Sequence, residues 1–251
     1  MLLLLLLVTC GEMPRAEPGT AAEPPADGPL LVAEAFPPPT GAVRTPPDGF
    51  GAWLGTLELA PADEPVRTHN GAAVAHHARV VRLPLVPGDL QQCADSAIRL
   101  RAEWLRIQGD EVSFHATSGD PMPWSRWEGG ERPYESDNRL HWRPGTKGGW
   151  EAYLAAVFTW AGTRSLVLDT VEADTPRPGD LLVDPGSPGH AVVLLDVAER
   201  DDELLLLVGE GFMPAQSFHV ELGPVDGWWL WDDGLALPHW SFEASQLRRW
   251  R

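Results

Sequence analysis

Between residues 89 and 108 the apolar residues recur at helical spacing. Leu90, Cys93, Ala94, Ala97, Ile98, Trp104 and Leu105 fall at i, i+3, i+4 and i+7, which puts them on one face of an α-helix. Asp89, just after Pro87-Gly88, is a natural N-cap, and Gly109 is a natural stop. Arg99, Arg101, Glu103 and Arg106 lie mostly off the stripe and read as a solvated face. A helix this one-sided must bury its stripe against another layer. The second half of the chain offers that layer.

Strand patterns are read at 80–85, 165–168, 181–183, 190–196, 204–208, 218–221 and 228–231. A second helix is expected at 150–160, and Asn70-Gly71 is a hairpin-turn signal. Charged residues 199–203 close a further hairpin. In the strand that opens at His190, the side chains of His190, Val192, Leu194 and Asp196 share one face, and Ala191, Val193 and Leu195 share the other. Helices come first and an antiparallel meander follows, so the expected class is α+β. Residues 117–149 read as one long irregular stretch, ordered by Trp124, Trp127 and Trp142.

The N-terminal fifth reads differently. Residues 2–7 are six leucines, followed by Val8-Thr9-Cys10. The run is too short to span a bilayer and suits a secretory signal. Its ending resembles a bacterial lipobox, which implies lipidation at Cys10. Gly11 after the cysteine, rather than Asp, implies the outer membrane, on its periplasmic side or at the cell surface. From residue 11 to residue 48, ten of 38 residues are proline. The expected organisation is a signal at 1–10, an extended Pro-rich tether at 11–49 and one α+β domain at 50–251.

The formal net charge of −17 argues against nucleic acid and against polybasic adhesion to anionic lipid. The expected membrane contact is therefore the lipid anchor. Two cysteines, Cys10 and Cys93, are too few for a disulfide framework or a thiolate zinc cage. His76-His77, His115, His141, His219 and His239 show no local metal spacing, so neither a metal nor a cofactor is expected, and the domain is expected to be a monomer.

The chemistry converges on Cys93 and His190. A cysteine in the first turn of a helix sits at the positive end of the dipole, which favours a thiolate. Backbone N–H groups there can hold an oxyanion. A histidine at the start of a strand packed on that helix can serve as the base. A third polar group usually orients the imidazole. Glu210 is the first choice, at the far end of the returning strand, with Gln216 second and Asp180 third. Arg99, Trp124, Trp127 and Ser187 are candidates for substrate contact. For each of these residues a purely structural role is the competing reading.

The order of Cys helix, Pro178-Gly179-Asp180 turn and Gly189-His190 strand resembles the NlpC-type and CHAP-type cell-wall amidases, which implies a papain-like fold and a peptidoglycan or peptide substrate. Around the cysteine the chain departs from them: it has Gln91-Gln92-Cys93-Ala94-Asp95. The strings that begin at Asp89 (Asp-Leu-Gln-Gln-Cys-Ala-Asp-Ser-Ala-Ile-Arg), at Gly186 (Gly-Ser-Pro-Gly-His-Ala-Val-Val) and at Phe212 (Phe-Met-Pro-Ala-Gln) resemble a bacterial domain-of-unknown-function family, number 4846. That resemblance implies a glutamine where this chain has Glu210.

Overall fold

A computed structural model describes residues 29–75 and 78–251. The mixed α+β class holds. A nine-stranded, antiparallel sheet dominates. Its main path runs Ala78–Val80, His219–Glu221, Glu203–Glu210, His190–Arg200, Leu181–Asp184, Leu247–Trp250, Thr170–Glu172. The short strands Val43–Arg44 and Trp229–Trp231 pair with His190–Arg200 and Glu203–Glu210 respectively. The central hairpin turns at Asp201 and Asp202, both with positive φ, within the charged stretch where the turn was expected.

Alternation along the His190–Arg200 strand divides the core in two. Ala191, Val193 and Leu195 face a layer of helices and pack with Ala94, Ala97 and Ile98. Val192, Leu194 and Val197 face the opposite way, under the hairpin formed by Gly234–Ala236 and Ser241–Glu243, and pack with Leu235 and Phe242. A bulge sets this phase. Leu207 pairs with Asp196 and Val208 with Leu194, so Leu195 is one residue in excess. Val197 therefore follows Leu194 on the second face. Each fully buried aliphatic side chain contributes about 1.5–3 kcal/mol of transfer free energy, so both faces are firmly specified.

The Cys93 helix spans Cys93–Gln108, three residues later than its expected start. Gln92 is the N-cap, and Asp95 accepts the Gln92 N–H at 3.0 Å. Asp89 does something else: it accepts the Ala215 N–H at 2.7 Å and so fastens the 212–216 loop to the helix entry. Gly109 closes the helix in the left-handed region, φ 77°. Gly211 is required where the chain leaves Glu210. A Cβ there would strike Ser96 Oγ in the first turn of the helix, so glycine lets the sheet end press against the helix start.

Four expectations are corrected. The tether does not reach residue 49: Val32 and Phe36 are buried in the core, and Val43–Arg44 is a strand of the main sheet. Residues 117–149 are not irregular. They hold the strand Pro121–Pro123, the short helix Trp124–Glu128, and a hairpin of Glu131–Ser136 with Arg139–Pro144. Its turn residues Asp137 and Asn138 both take positive φ, a polar turn without the glycine that would have announced it. Residues 165–168 lie in the helix Thr163–Asp169, not in a strand. The solvated helix face is also wrong in part, since Arg99 is buried against Glu103 at 2.7 Å. Among the described residues, no helix is long and apolar enough to cross a membrane.

Candidate functional site

Cys93 is the first residue of its helix and is partly exposed. It lines an open groove of about 350 Å³, whose walls include Asp89, Gln92, Phe158, Thr163, Ser187 and Met213. The backbone amides of Ala191, Ala94 and Cys93 itself act on the sulfur to favour the thiolate. Such a ring of donors favours negative charge. Burial outweighs it, with Asp95 adding repulsion, and pushes the thiol up to about 11. Asp95 is itself buried, its Oδ1 accepts no hydrogen bond, and burial pushes its carboxyl up to about 7.

His190 opens the strand next to Ala191. Its Nε2 contacts Glu210 Oε2 at 2.8 Å, with both side chains buried. The pairing of the two long strands brings Glu210 to the His190 end, as the hairpin reading required. Gln216 does not share this role. It is buried at a bridge to Thr68, and no hydrogen bond joins it to His190. Asp180 is engaged elsewhere, in a two-pronged pair with Arg249, 2.7 Å on each prong. The His190 ring lies against Trp240 at 5.3 Å and Phe242 at 5.8 Å, so it faces the hairpin layer while Cys93 packs in the helix layer. No hydrogen bond joins Cys93 to His190, and His190 Nδ1 makes none among the described residues.

The other expected contacts fall away from the groove. Arg99 pairs with Glu103 and approaches Gln91. Trp124 packs edge-on against Trp150 and Tyr153, each at 5.2 Å. Trp127 is buried, donates its indole N–H to Gly148 O and carries the Arg132 guanidinium over its ring. These three make packing and ion-pair contacts and do not line the groove with Cys93. Ser187 alone of that set lines the groove with Cys93. Cys10 and His76-His77 lie outside the described residues.

One cluster was missed. His219 Nε2 lies 3.5 Å from Glu210 Oε1 and 3.7 Å from Glu221 Oε2, and His239 Nε2 lies 3.1 Å from Glu210 Oε1. The expectation of no histidine grouping came from local spacing, whereas strand pairing sets this assembly: Glu210 stands opposite His219. The signal available was the alternation of His219 and Glu221, which puts both on one strand face. Burial opposes charge on Glu210, but the three imidazoles outweigh it and hold the carboxyl well below its ordinary range. Burial also works against a charged His219, yet the two carboxylates win and raise it to about 9.

The family model described as a domain of unknown function (4846) matches residues 32–249. This chain belongs to that family. Val32, where the match starts, is also the first fully buried side chain among the described residues. No curated protein and no solved structure matches the chain.

Proposed function

We propose that this family member is an envelope-anchored thiol hydrolase that cleaves an amide bond, with peptidoglycan stem peptides as the substrate class and a papain-like arrangement of its site. The observation that supports this reading most is the convergence at the start of one strand. His190 supplies an imidazole held at Nε2 by Glu210, and Ala191 supplies an N–H to the Cys93 sulfur.

The chemistry follows from those positions. The resting thiol is neutral, so its proton must leave as the sulfur attacks. His190 Nε2–H donates to the Glu210 carboxylate, which leaves Nδ1 as the base. For Nδ1 to take the Cys93 proton while the sulfur bonds to the amide carbon, the imidazole must first swing from the hairpin layer toward the groove. The N–H groups at the helix start receive the oxyanion. Collapse expels the amine with the proton from His190, and water hydrolyses the thioester. Among the described residues, the groove has no basic side chain in its walls and carries Asp89 and Asp95, which suits a substrate segment bearing an amine rather than a carboxylate.

Purified peptidoglycan incubated with the full chain should release new peptide fragments, seen by mass spectrometry, and Cys93→Ser should release none. Equal release by both, or no release by either, removes the reading. In that case the second reading stands, a non-catalytic binding domain. It is favoured by one observation: the thiol is pushed up to about 11 with no hydrogen bond to His190.

The anchor is part of the proposal and rests on the leucine run ending at Cys10. Metabolic labelling with a fatty-acid analogue should mark the wild type and spare Cys10→Ala. Stable anchoring needs more than one acyl chain, so the label should follow the protein into the membrane fraction. Equal labelling of both proteins contradicts the anchor.

A further inference from the structure

The inference concerns the cluster on the hairpin side of the sheet and goes beyond the proposed hydrolase. We infer that His190, His219, His239, Glu210 and Glu221 form a binding site for a first-row divalent metal ion, with zinc the expected occupant.

The geometry carries the inference. Three imidazoles turn the same atom, Nε2, toward one carboxylate. The ligand atoms of His190, Glu210 and His239 all lie within 4.8 Å of one another, and so do those of Glu210, His219 and Glu221. The closest pairs are 2.8 Å for His190 and Glu210, 3.1 Å for His239 and Glu210, 3.5 Å for His219 and Glu210, and 3.7 Å for His219 and Glu221. An ion bound tetrahedrally at about 2.0–2.1 Å separates its ligand atoms by roughly 3.3 Å. These four spacings bracket that value and the other ligand atoms of each triad lie within 4.8 Å, so side-chain adjustment would have to bring the two triads that share Glu210 onto one ion.

The surroundings are those of a ligand set. His219 Nδ1 lies 2.8 Å from Ser217 O, where it must carry the proton and donate. That contact turns Nε2 toward the cluster, the way metal-binding histidines are commonly fixed. His190, Glu210, His219 and Glu221 are at most 3% exposed. Glu210 is paired, among the described residues, only with imidazoles. A dication at this cluster would offset the charge of two deeply buried carboxylates at once. Phe212, Trp240 and Phe242 flank the His190 ring and limit its rotation. His239 is on the short connection between the two hairpin strands, with 22% of its side chain exposed. It therefore stands at the open side, where an ion would enter.

The donor set selects the ion. Neutral imidazole nitrogen with carboxylate oxygen suits zinc and its first-row neighbours, whereas calcium and magnesium prefer all-oxygen shells. An ion on His190 Nε2 would leave the proton on Nδ1. The loaded site would therefore withdraw His190 as the base proposed above. Metal binding itself needs nothing from Cys93.

The test uses the full chain, stripped with a chelator and dialysed. Zinc sulfate is titrated against a chromophoric competitor, and cobalt chloride is added separately to read the visible ligand-field bands. One equivalent of zinc should bind with sub-micromolar affinity, and cobalt should give the intense bands of a four-coordinate centre. His239→Gln should weaken zinc by more than the roughly 10–100-fold that losing an outer-shell partner costs. His219→Gln should do the same, with circular dichroism as a check that it folds. His239 lies on a connection at the surface, so its variant keeps the test decisive if the His219 variant misfolds. Cys93→Ser should bind zinc like the wild type, which separates this result from the fate of the hydrolase. No stoichiometric zinc in the wild type, or unchanged affinity in His239→Gln, overturns the site.

Discussion

Replacing Asp95 by Asn should stabilise the domain above neutral pH by up to about 4 kcal/mol and change little below about pH 4. Asp95 is 7% exposed, and its Oδ1 has no hydrogen-bond partner. Its Oδ2 accepts the Gln92 N–H, a bond that an asparagine oxygen can also accept. Burial raises the carboxyl to about 7 in the folded chain, against about 3.9 unfolded. The folded state therefore keeps a proton that the unfolded state has already released. The stability linked to that proton is complete below about pH 4 and is lost as pH rises through about 7. The variant never ionises and escapes the loss. Urea unfolding at about pH 4 and about pH 8 measures it. A wild type as stable at the higher pH as at the lower, or a variant weaker at both, contradicts the account.

The same residues show how far the sequence could be read. The Cys93 stripe and the His190 strand were legible because each has a clear period, 3.6 for one and 2 for the other. Glu210 was legible because a charged hairpin between two apolar strands fixes which ends meet. The start of the helix was not. Asp89 has the chemistry of an N-cap, but the Ala215 N–H competes for its carboxylate, and that partner lies over a hundred residues away. Arg99 looked solvated by its position on the helical wheel, yet Glu103 and Gln91 follow it inward. Trp124 and Trp127 gave a composition signal that could not distinguish a sugar platform from a packing anchor; in the fold both rings pack against Tyr153. Residues 165–168 are too short an apolar run to tell helix from strand. The strand Leu247–Trp250 inserts between Leu181–Asp184 and Thr170–Glu172, a long-range pairing with no local mark. His219 and His239 escaped for the same reason.

Cys93 carries the second large expected effect. Its thiol is raised from its ordinary value to about 11, so near neutral pH the free-thiolate fraction should fall roughly 100-fold below that of an unfolded cysteine. Burial and Asp95 both oppose the anion, and the N–H groups at the helix start recover only part of the loss. With Cys10→Ala as the background, iodoacetamide should label the folded His190→Gln chain about 100-fold more slowly than the urea-unfolded chain. Its rate should climb with pH toward about 11. A fast reaction in the folded variant near neutral pH would show that the dipole, not burial, sets the thiol.

The central claim is that His190 removes the Cys93 proton. The alkylation rate of the wild type against His190→Gln, both in the Cys10→Ala background, metal-free and near neutral pH, tests it most directly. A positioned general base contributes about 100-fold or more, so the wild type should react at least ten times faster than the variant, by about that reasoning scaled down for a small electrophile. Equal rates in two folded proteins would mean that the imidazole never reaches the thiol, and the hydrolase would be contradicted.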